Sequence, residues 1–295
     1  MLSFKSQLII FILKHTRKKS FASVEGMHKR LKDARQSQDF RPPETVKARV
    51  DIVERDIGGT MVYEVKAKGS SPEKRMIYLH GGAYLFEITA HHWDLIAEIA
   101  ERLPFQISVP IYPLAPETQA PAIVDSGMDV YRDVLATVAP ENIVFMGDSA
   151  GGNMAVVMGM EAAIAGLPQP ARMVLISPAM DLSMSNPAIF EVEKTDPWLG
   201  TPGGKEATRL YAGELSPTDW RISPLYGDIA VLPPMLLLTG TRDILNPDTH
   251  LFVEKARAAG IAADLIETKG MFHVWPLLDF PEGRKAREQI IAYLK

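Results

Sequence analysis

The chain has 295 residues, a formal net charge of −4 and no cysteine. Disulfides, thiolate catalysis and Cys-based zinc sites are excluded, and the mildly acidic balance gives no electrostatic reason for a nucleic-acid partner. With 46% hydrophobic residues, the chain can bury one large α/β core or two small ones.

Residues 1–45 read as helical and polar-rich. They end at Arg41-Pro42-Pro43-Glu44, where the double proline stops a helix and marks a boundary. Residues 8–13 are apolar (LIIFIL) and 14–19 are basic (KHTRKK). A secretory signal puts its charge before a longer apolar run, so an amphipathic helix packed on its own protein is expected instead. Such a basic, apolar helix also suits contact with a membrane surface. No run approaches the roughly eighteen apolar residues of a membrane-spanning helix, so no transmembrane segment is expected. The lack of cysteine fits a reducing compartment, and a cytoplasmic location is the expectation.

Residues 50–57 carry apolar side chains at Val50, Ile52, Val53 and Ile57 and read as a strand. Gly58-Gly59 turns the chain and 60–66 return, which makes a β-hairpin. Residues 75–79 form a buried strand that runs into His80-Gly81-Gly82-Ala83-Tyr84. A helix is predicted over 89–103, with Leu95, Ile96, Ile99 and Leu103 on one face. A strand over 105–111, a rigid loop over 112–117 (YPLAPE) and a helix over 122–138 follow. Residues 142–146 are a short apolar strand, and a helix begins at about Met154. Between them stands Gly147-Asp148-Ser149-Ala150-Gly151.

After a strand at 172–176 the pattern breaks down. Residues 181–227 are rich in Pro and Gly, with one helical piece at 205–212. This is too long for a simple connection, and insertions of this kind often serve as lids. Alternation resumes with a strand at 235–239, a helix at 248–259, a strand at 262–268 and a closing helix at 282–294. Strands alternating with helices imply a mostly parallel sheet covered on both faces. Ligands then sit at the carboxyl ends of the strands, where the loops 80–84, 147–151, 240–245 and 270–274 can meet.

A G-x-S-x-G between a strand and a helix is a nucleophile elbow. The turn is too tight for Cβ atoms at its flanks, and the central Ser149 is pushed outward in a strained conformation. A serine hydroxyl needs a base beside it, and the base needs an orienting carboxylate. Of the histidines only His80 and His273 lie on strand-end loops, and His273, just after the last strand, fits the base better. Asp243 follows an apolar strand between Ser149 and His273, in the chain order this arrangement uses. The oxyanion needs fixed donors. Gly81, Gly82 and Ala83 follow the third strand, and Ala150 follows the nucleophile. His80 is expected to hold its own loop by hydrogen bonding.

With these residues in place the chain resembles the hormone-sensitive-lipase-like branch of the α/β-hydrolases, the bacterial esterases and lipases. Five stretches carry the resemblance: HGGAY (80–84), YPLAPE (112–117), GDSAGG (147–152), LPPMLLLTGTRDIL (232–245) and GMFHVW (270–275). It implies an α/β-hydrolase core at 46–180 and 228–295. It implies a cap made of N-terminal helices at 1–45 and an insertion at 181–227. It also implies a serine carboxylesterase for short- to medium-chain esters, with Ser149 as nucleophile, Asp243 as acid, His273 as base and the oxyanion hole at Gly81, Gly82, Ala83 and Ala150. Two positions depart from the family pattern: Ala83 stands where a third Gly is usual, and Pro113 where Arg is common. A small-molecule ester is the expected partner, and no metal or cofactor is called for. An amidase or deacetylase would use the same triad. A non-catalytic ligand receptor on the same scaffold would typically lose the base, which is present here.

Overall fold

The computed structural model describes residues 2–295. Four helices come first: α1 (Phe4–Thr16), α2 (Lys18–Phe21), α3 (Val24–Ser37) and, beyond the double proline, α4 (Glu44–Lys47). Serines start two of them. The Ser3 side chain accepts from the Ser6 N–H, and Ser23 accepts from the Gly26 N–H, filling donors that the first turn leaves open. Next comes the hairpin of β1 (Val50–Ile57) and β2 (Thr60–Ala67). Gly58 and Gly59 close it at φ 61° and 83°, the left-handed region that a two-residue hairpin turn requires.

The alternating part runs β3 (Lys74–Leu79), α5 (Ala90–Arg102), β4 (Phe105–Ile111), α6 (Ala122–Leu135), β5 (Ile143–Asp148), α7 (Ala150–Ile164) and β6 (Arg172–Ile176). The expected irregular segment follows and contains α8 (Ala188–Glu193) and α9 (Thr201–Ala212). The chain closes with β7 (Met235–Gly240), α10 (Asn246–Ala258), β8 (Ala263–Thr268) and α11 (Pro281–Leu294).

All eight strands join one sheet in the order β1-β2-β4-β3-β5-β6-β7-β8. β1–β2 and β2–β4 pair antiparallel, and every other neighbour pair is parallel. The central strands are apolar throughout because both faces are covered. Ile77, Leu79, Phe145, Leu175 and Leu237 belong to one core. Met76, Tyr78, Val144, Met146, Val174, Ile176, Leu236 and Leu238 belong to the other. Successive side chains point to opposite faces, so a doubly covered strand has no polar alternation.

Besides the short α8, which the sequence pattern does not predict, two elements differ from the sequence expectation. α7 begins at Ala150, directly after Ser149, and not at Met154. The elbow leaves no connecting residue, so Gly151 and Gly152 are already helical. α9 reaches back to Thr201, through Pro202, Gly203 and Gly204. Proline is tolerated in a first turn because the N–H it lacks has no intrahelical acceptor there. The glycines answer a packing demand: a Cβ on Gly203 would lie 2.6 Å from Phe21 Cα. The N-terminal helices therefore lie directly against α9, and His28 of α3 meets Glu206 of α9 at 2.7 Å.

Candidate active site

Ser149 directly follows the central strand β5, with φ 53° and ψ −117°, a region that non-glycine residues rarely occupy. Surrounding contacts hold it there. Its N–H donates to Ile176 O at 2.8 Å, and its carbonyl accepts from the N–H groups of Asn153 (3.1 Å) and Ala179 (3.2 Å). A Cβ on Gly147 would run into the Gly151 carbonyl, and one on Gly151 into the Leu79 carbonyl. The flanking glycines are what let β5, the turn and α7 approach so closely.

His273 and Asp243 come from the loops after β8 and β7. His273 Nε2 lies 2.9 Å from Ser149 Oγ, and His273 Nδ1 lies 2.9 Å from Asp243 Oδ2. A carboxylate can only accept, so Nδ1 carries the proton, and the neutral ring turns a bare Nε2 to the hydroxyl. Asp243 is wholly buried, and its Oδ1 accepts from the Leu245 N–H at 3.0 Å. Backbone contacts fasten the two loops. Arg242 N–H donates to Met271 O at 2.8 Å, and Val274 N–H donates to Ser177 Oγ at 3.1 Å. Burial pulls the His273 pKa down. The charge and hydrogen bond of Asp243, with Asp196 and Asp148 further off, outweigh it and leave the imidazole above its ordinary value.

The four amides expected at the oxyanion hole divide. Gly81 N–H donates to Asp148 Oδ1 at 3.0 Å, so it is occupied, and its placement as an oxyanion donor is corrected. The N–H groups of Gly82, Ala83 and Ala150 have no acceptor among the described residues, and all three residues line the same cavity as Ser149. Gly82 has φ 133° and Ala83 has φ 55°. The family's usual glycine at position 83 is thus replaced by a residue that pays for the same left-handed backbone.

Asp148 is the post that this loop is tied to. Besides Gly81 it accepts from Tyr78 OH at 2.8 Å, and its Oδ2 faces His92 Nε2 at 3.3 Å. Burial alone would raise its pKa. His92, Tyr78 and Gly81 overcome that and hold the carboxyl below its usual value. His80 takes the holding role expected of it. It stacks on Tyr112 at 4.2 Å, its Nδ1 lies 2.8 Å from Gly81 O, and burial drops its pKa to about 4. Pro113 offers no charged group. Its loop is held by Arg35 of α3, which donates to Ala115 O at 2.7 Å and Glu117 Oε2 at 2.8 Å.

Sequence reasoning missed Asp196. Asp196 Oδ1 accepts from the N–H groups of Trp198 (2.7 Å) and Leu199 (2.8 Å), and its Oδ2 accepts from Ile244 N–H at 2.9 Å. Burial first, and then the negative charge of Asp243, hold Asp196 well above the usual carboxylate range. The turn it forms puts the Trp198 ring edge-on to His273, with centroids 5.9 Å apart. Asp-Pro-Trp is a turn-forming tripeptide, and that was the available signal.

Ser149 and His273 open into a cavity of about 700 Å³. Its other walls come from α1, α2, α3 and α9, and Tyr84, Phe86, Trp198 and Tyr211 are among the lining side chains. Tyr84 stacks flat on Tyr211 at 3.7 Å and donates its hydroxyl to Asn153 Oδ1 at 2.7 Å. Its walls are mostly apolar, with polar side chains such as Arg17, Arg30, Glu87 and Thr208 distributed among them, and concave, largely apolar chambers of this kind are typical of small-molecule sites.

A sheet of this order, with an elbow serine, a strand-end histidine and a strand-end aspartate, defines the α/β-hydrolase class. A family profile described as the alpha/beta hydrolase fold matches residues 76–277. An esterase of Acinetobacter venetianus is 30% identical over 241 residues, covering 80% of this chain and 79% of that protein. An acetyl-hydrolase of Streptomyces hygroscopicus is 31% identical over 227 residues, 75% of each chain. A solved esterase of the bacterial hormone-sensitive lipase family superposes with a TM-score of 0.86 at 27% identity, covering 100% of this chain and 98% of that one. The chain belongs to the α/β-hydrolase fold family, in its hormone-sensitive-lipase-like branch. It is a carboxylic ester hydrolase.

Proposed function

We propose that the chain is a serine carboxylesterase that hydrolyses short- to medium-chain acyl esters through an acyl-enzyme. The observation that carries this reading is the His273 ring, 2.9 Å from Ser149 Oγ on one side and 2.9 Å from Asp243 Oδ2 on the other. The chamber of about 700 Å³ and the acetyl-hydrolase relative support the substrate class.

The ester carbonyl lies against Ser149 with its oxygen toward the free N–H groups of Gly82, Ala83 and Ala150. Ser149 Oγ attacks the carbonyl carbon as His273 Nε2 takes the hydroxyl proton. Asp243 keeps the proton on Nδ1 and stabilises the imidazolium that forms. The three amides receive the negative oxygen, and each such donor is worth about 3–4 kcal/mol of the barrier. The tetrahedral intermediate collapses, the C–O bond to the alcohol breaks, and His273 Nε2–H protonates the departing oxygen. Water then repeats the sequence on the acyl-enzyme, with His273 as base, and returns the acid and free Ser149.

In the same reading residues 46–180 and 228–295 are the hydrolase core. Residues 1–45 and 181–227 together form the cap that closes the chamber. The Phe21–Gly203 approach and the His28–Glu206 contact support that division. Hydrolysis of a series of p-nitrophenyl esters of increasing acyl length tests the proposal. Rates are expected to be highest for short acyl groups, to fall for long ones and to vanish in Ser149→Ala. Substantial turnover by Ser149→Ala would refute the assignment.

A further inference from the structure

Helix α1 is apolar on more than one side. Leu13 is buried, and Ile9 and Leu13 line the chamber. On the outer side Phe4, Leu8, Phe11 and Ile12 are 83%, 48%, 60% and 49% exposed. Positions 4, 8 and 11 follow the i, i+4, i+7 spacing of one helical stripe, and Ile12 lies beside them. A helix that is apolar all round is normally covered all round, yet this face stays open.

The charge carried by this segment itself has one sign. The first 24 residues contain no Asp or Glu, but they hold Lys5, Lys14, Arg17, Lys18 and Lys19, in a chain whose net charge is −4. Lys5 lies 3.6 Å from Asp279, and Lys18 reaches the carbonyls of Glu193 and Leu199. Lys14, Arg17 and Lys19 are exposed and have no carboxylate partner among the described residues. At 100° per residue, Lys5 and Lys14 flank the stripe on opposite sides.

We propose that the outer face of α1 docks on an anionic lipid surface, with the apolar stripe at the headgroup–acyl boundary and the cations on the headgroups. Both parts of the helix suit that setting. A second copy of the chain suits it poorly, because an isologous contact sets the same patch against itself and would oppose like charges. The position adds a use. Ile12 and Arg17 are exposed and also line the chamber, so the chamber opens at the docking face and an apolar ester can pass into it from the lipid. That entry route rests on the esterase reading; the docking itself does not.

Co-sedimentation with vesicles tests the proposal, using phosphatidylcholine alone and equal parts phosphatidylcholine and phosphatidylglycerol. The full chain is expected to bind the anionic vesicles at least about tenfold more tightly, and less tightly as salt is raised. The double variants Phe4→Ser/Phe11→Ser and Lys14→Glu/Lys19→Glu, at positions off the chamber wall, are expected to lose that binding. Both should still hydrolyse a dissolved p-nitrophenyl ester at the parent rate, which shows that they are folded. Equal affinity for the two vesicles, or none, would overturn the docking. So would a dimer in sedimentation velocity that Phe4→Ser/Phe11→Ser dissociates, since a second copy would then occupy the face. Failure of the parent chain to hydrolyse the dissolved ester would strike the esterase reading alone.

Discussion

Asp196 Oδ2 accepts the backbone N–H of Ile244, the residue directly after Asp243, at 2.9 Å. One carboxylate of the irregular 181–227 segment thus grips the loop that carries Asp243. With its other oxygen it folds the turn that sets Trp198 against His273. The 181–227 segment and the loops that carry Asp243 and His273 are joined by this hydrogen-bonded unit, so changes on one side should be felt on the other.

Asp196→Ala leaves the N–H groups of Trp198, Leu199 and Ile244 without their acceptor. The expected cost is on the order of 3 kcal/mol, read as a lower urea midpoint with unchanged m-value. The sign of the pH dependence follows from the raised pKa of Asp196 in the fold. Its stabilising contribution is complete below the ordinary carboxylate pKa and is lost as pH rises through the folded-state value. Stability of the parent chain should therefore fall with rising pH across that window, and Asp196→Asn should flatten the slope.

His273 must be neutral to act as a base, and the fold raises its pKa. The acid limb of kcat/KM is expected above the ordinary histidine value of about 6.5. Asp243→Asn removes the main group that raises the pKa. The limb should move to lower pH while kcat drops by roughly 10⁴. Linkage runs the other way for stability. Protonated His273 favours the fold below its unfolded pKa, and that contribution disappears as pH rises through the folded pKa.

Ala83 holds φ 55° in the loop after β3. Left-handed backbone costs alanine about 1–2 kcal/mol, and glycine's greater unfolded-state freedom returns roughly half of that. Ala83→Gly is expected to stabilise the protein by about 0.5–1 kcal/mol. Because the N–H is kept, kcat should change by less than about threefold. A loss of kcat near a hundredfold would show that the methyl itself shapes the oxyanion site.

Gly203→Ala puts a Cβ against the Phe21 backbone, where backbone cannot easily give way. Overpacking of about 1–3 kcal/mol is expected, seen as a lower thermal midpoint. Gly59→Ala is a useful contrast, since its Cβ would meet nothing and only the left-handed backbone would be charged for it.

The sequence pattern located every strand of the sheet: the doubly buried ones read as nearly continuous apolar runs, as in Met235–Gly240, and the exposed β1 was marked by the Gly58-Gly59 hairpin turn. Spacing and strand-end position also singled out Ser149, Asp243 and His273, which the structure brings within hydrogen-bonding distance. α9 was cut short because Pro202, Gly203 and Gly204 are poor helix formers. They sit there for a close approach by Phe21 that only tertiary structure reveals. The Gly81 amide was misassigned for a similar reason. Two glycines announce a backbone approach, but only the buried Asp148 decides which N–H is already taken. Asp196 escaped notice because its partner, Ile244, is 48 residues away in the chain.

The most direct test of the relay is covalent labelling with a fluorophosphonate, followed by peptide mass spectrometry. A single stoichiometric adduct on Ser149 is expected, slowed by at least roughly a thousandfold in His273→Ala and absent in Ser149→Ala. An unlabelled Ser149 in active protein, or labelling that ignores the loss of His273, would contradict the relay.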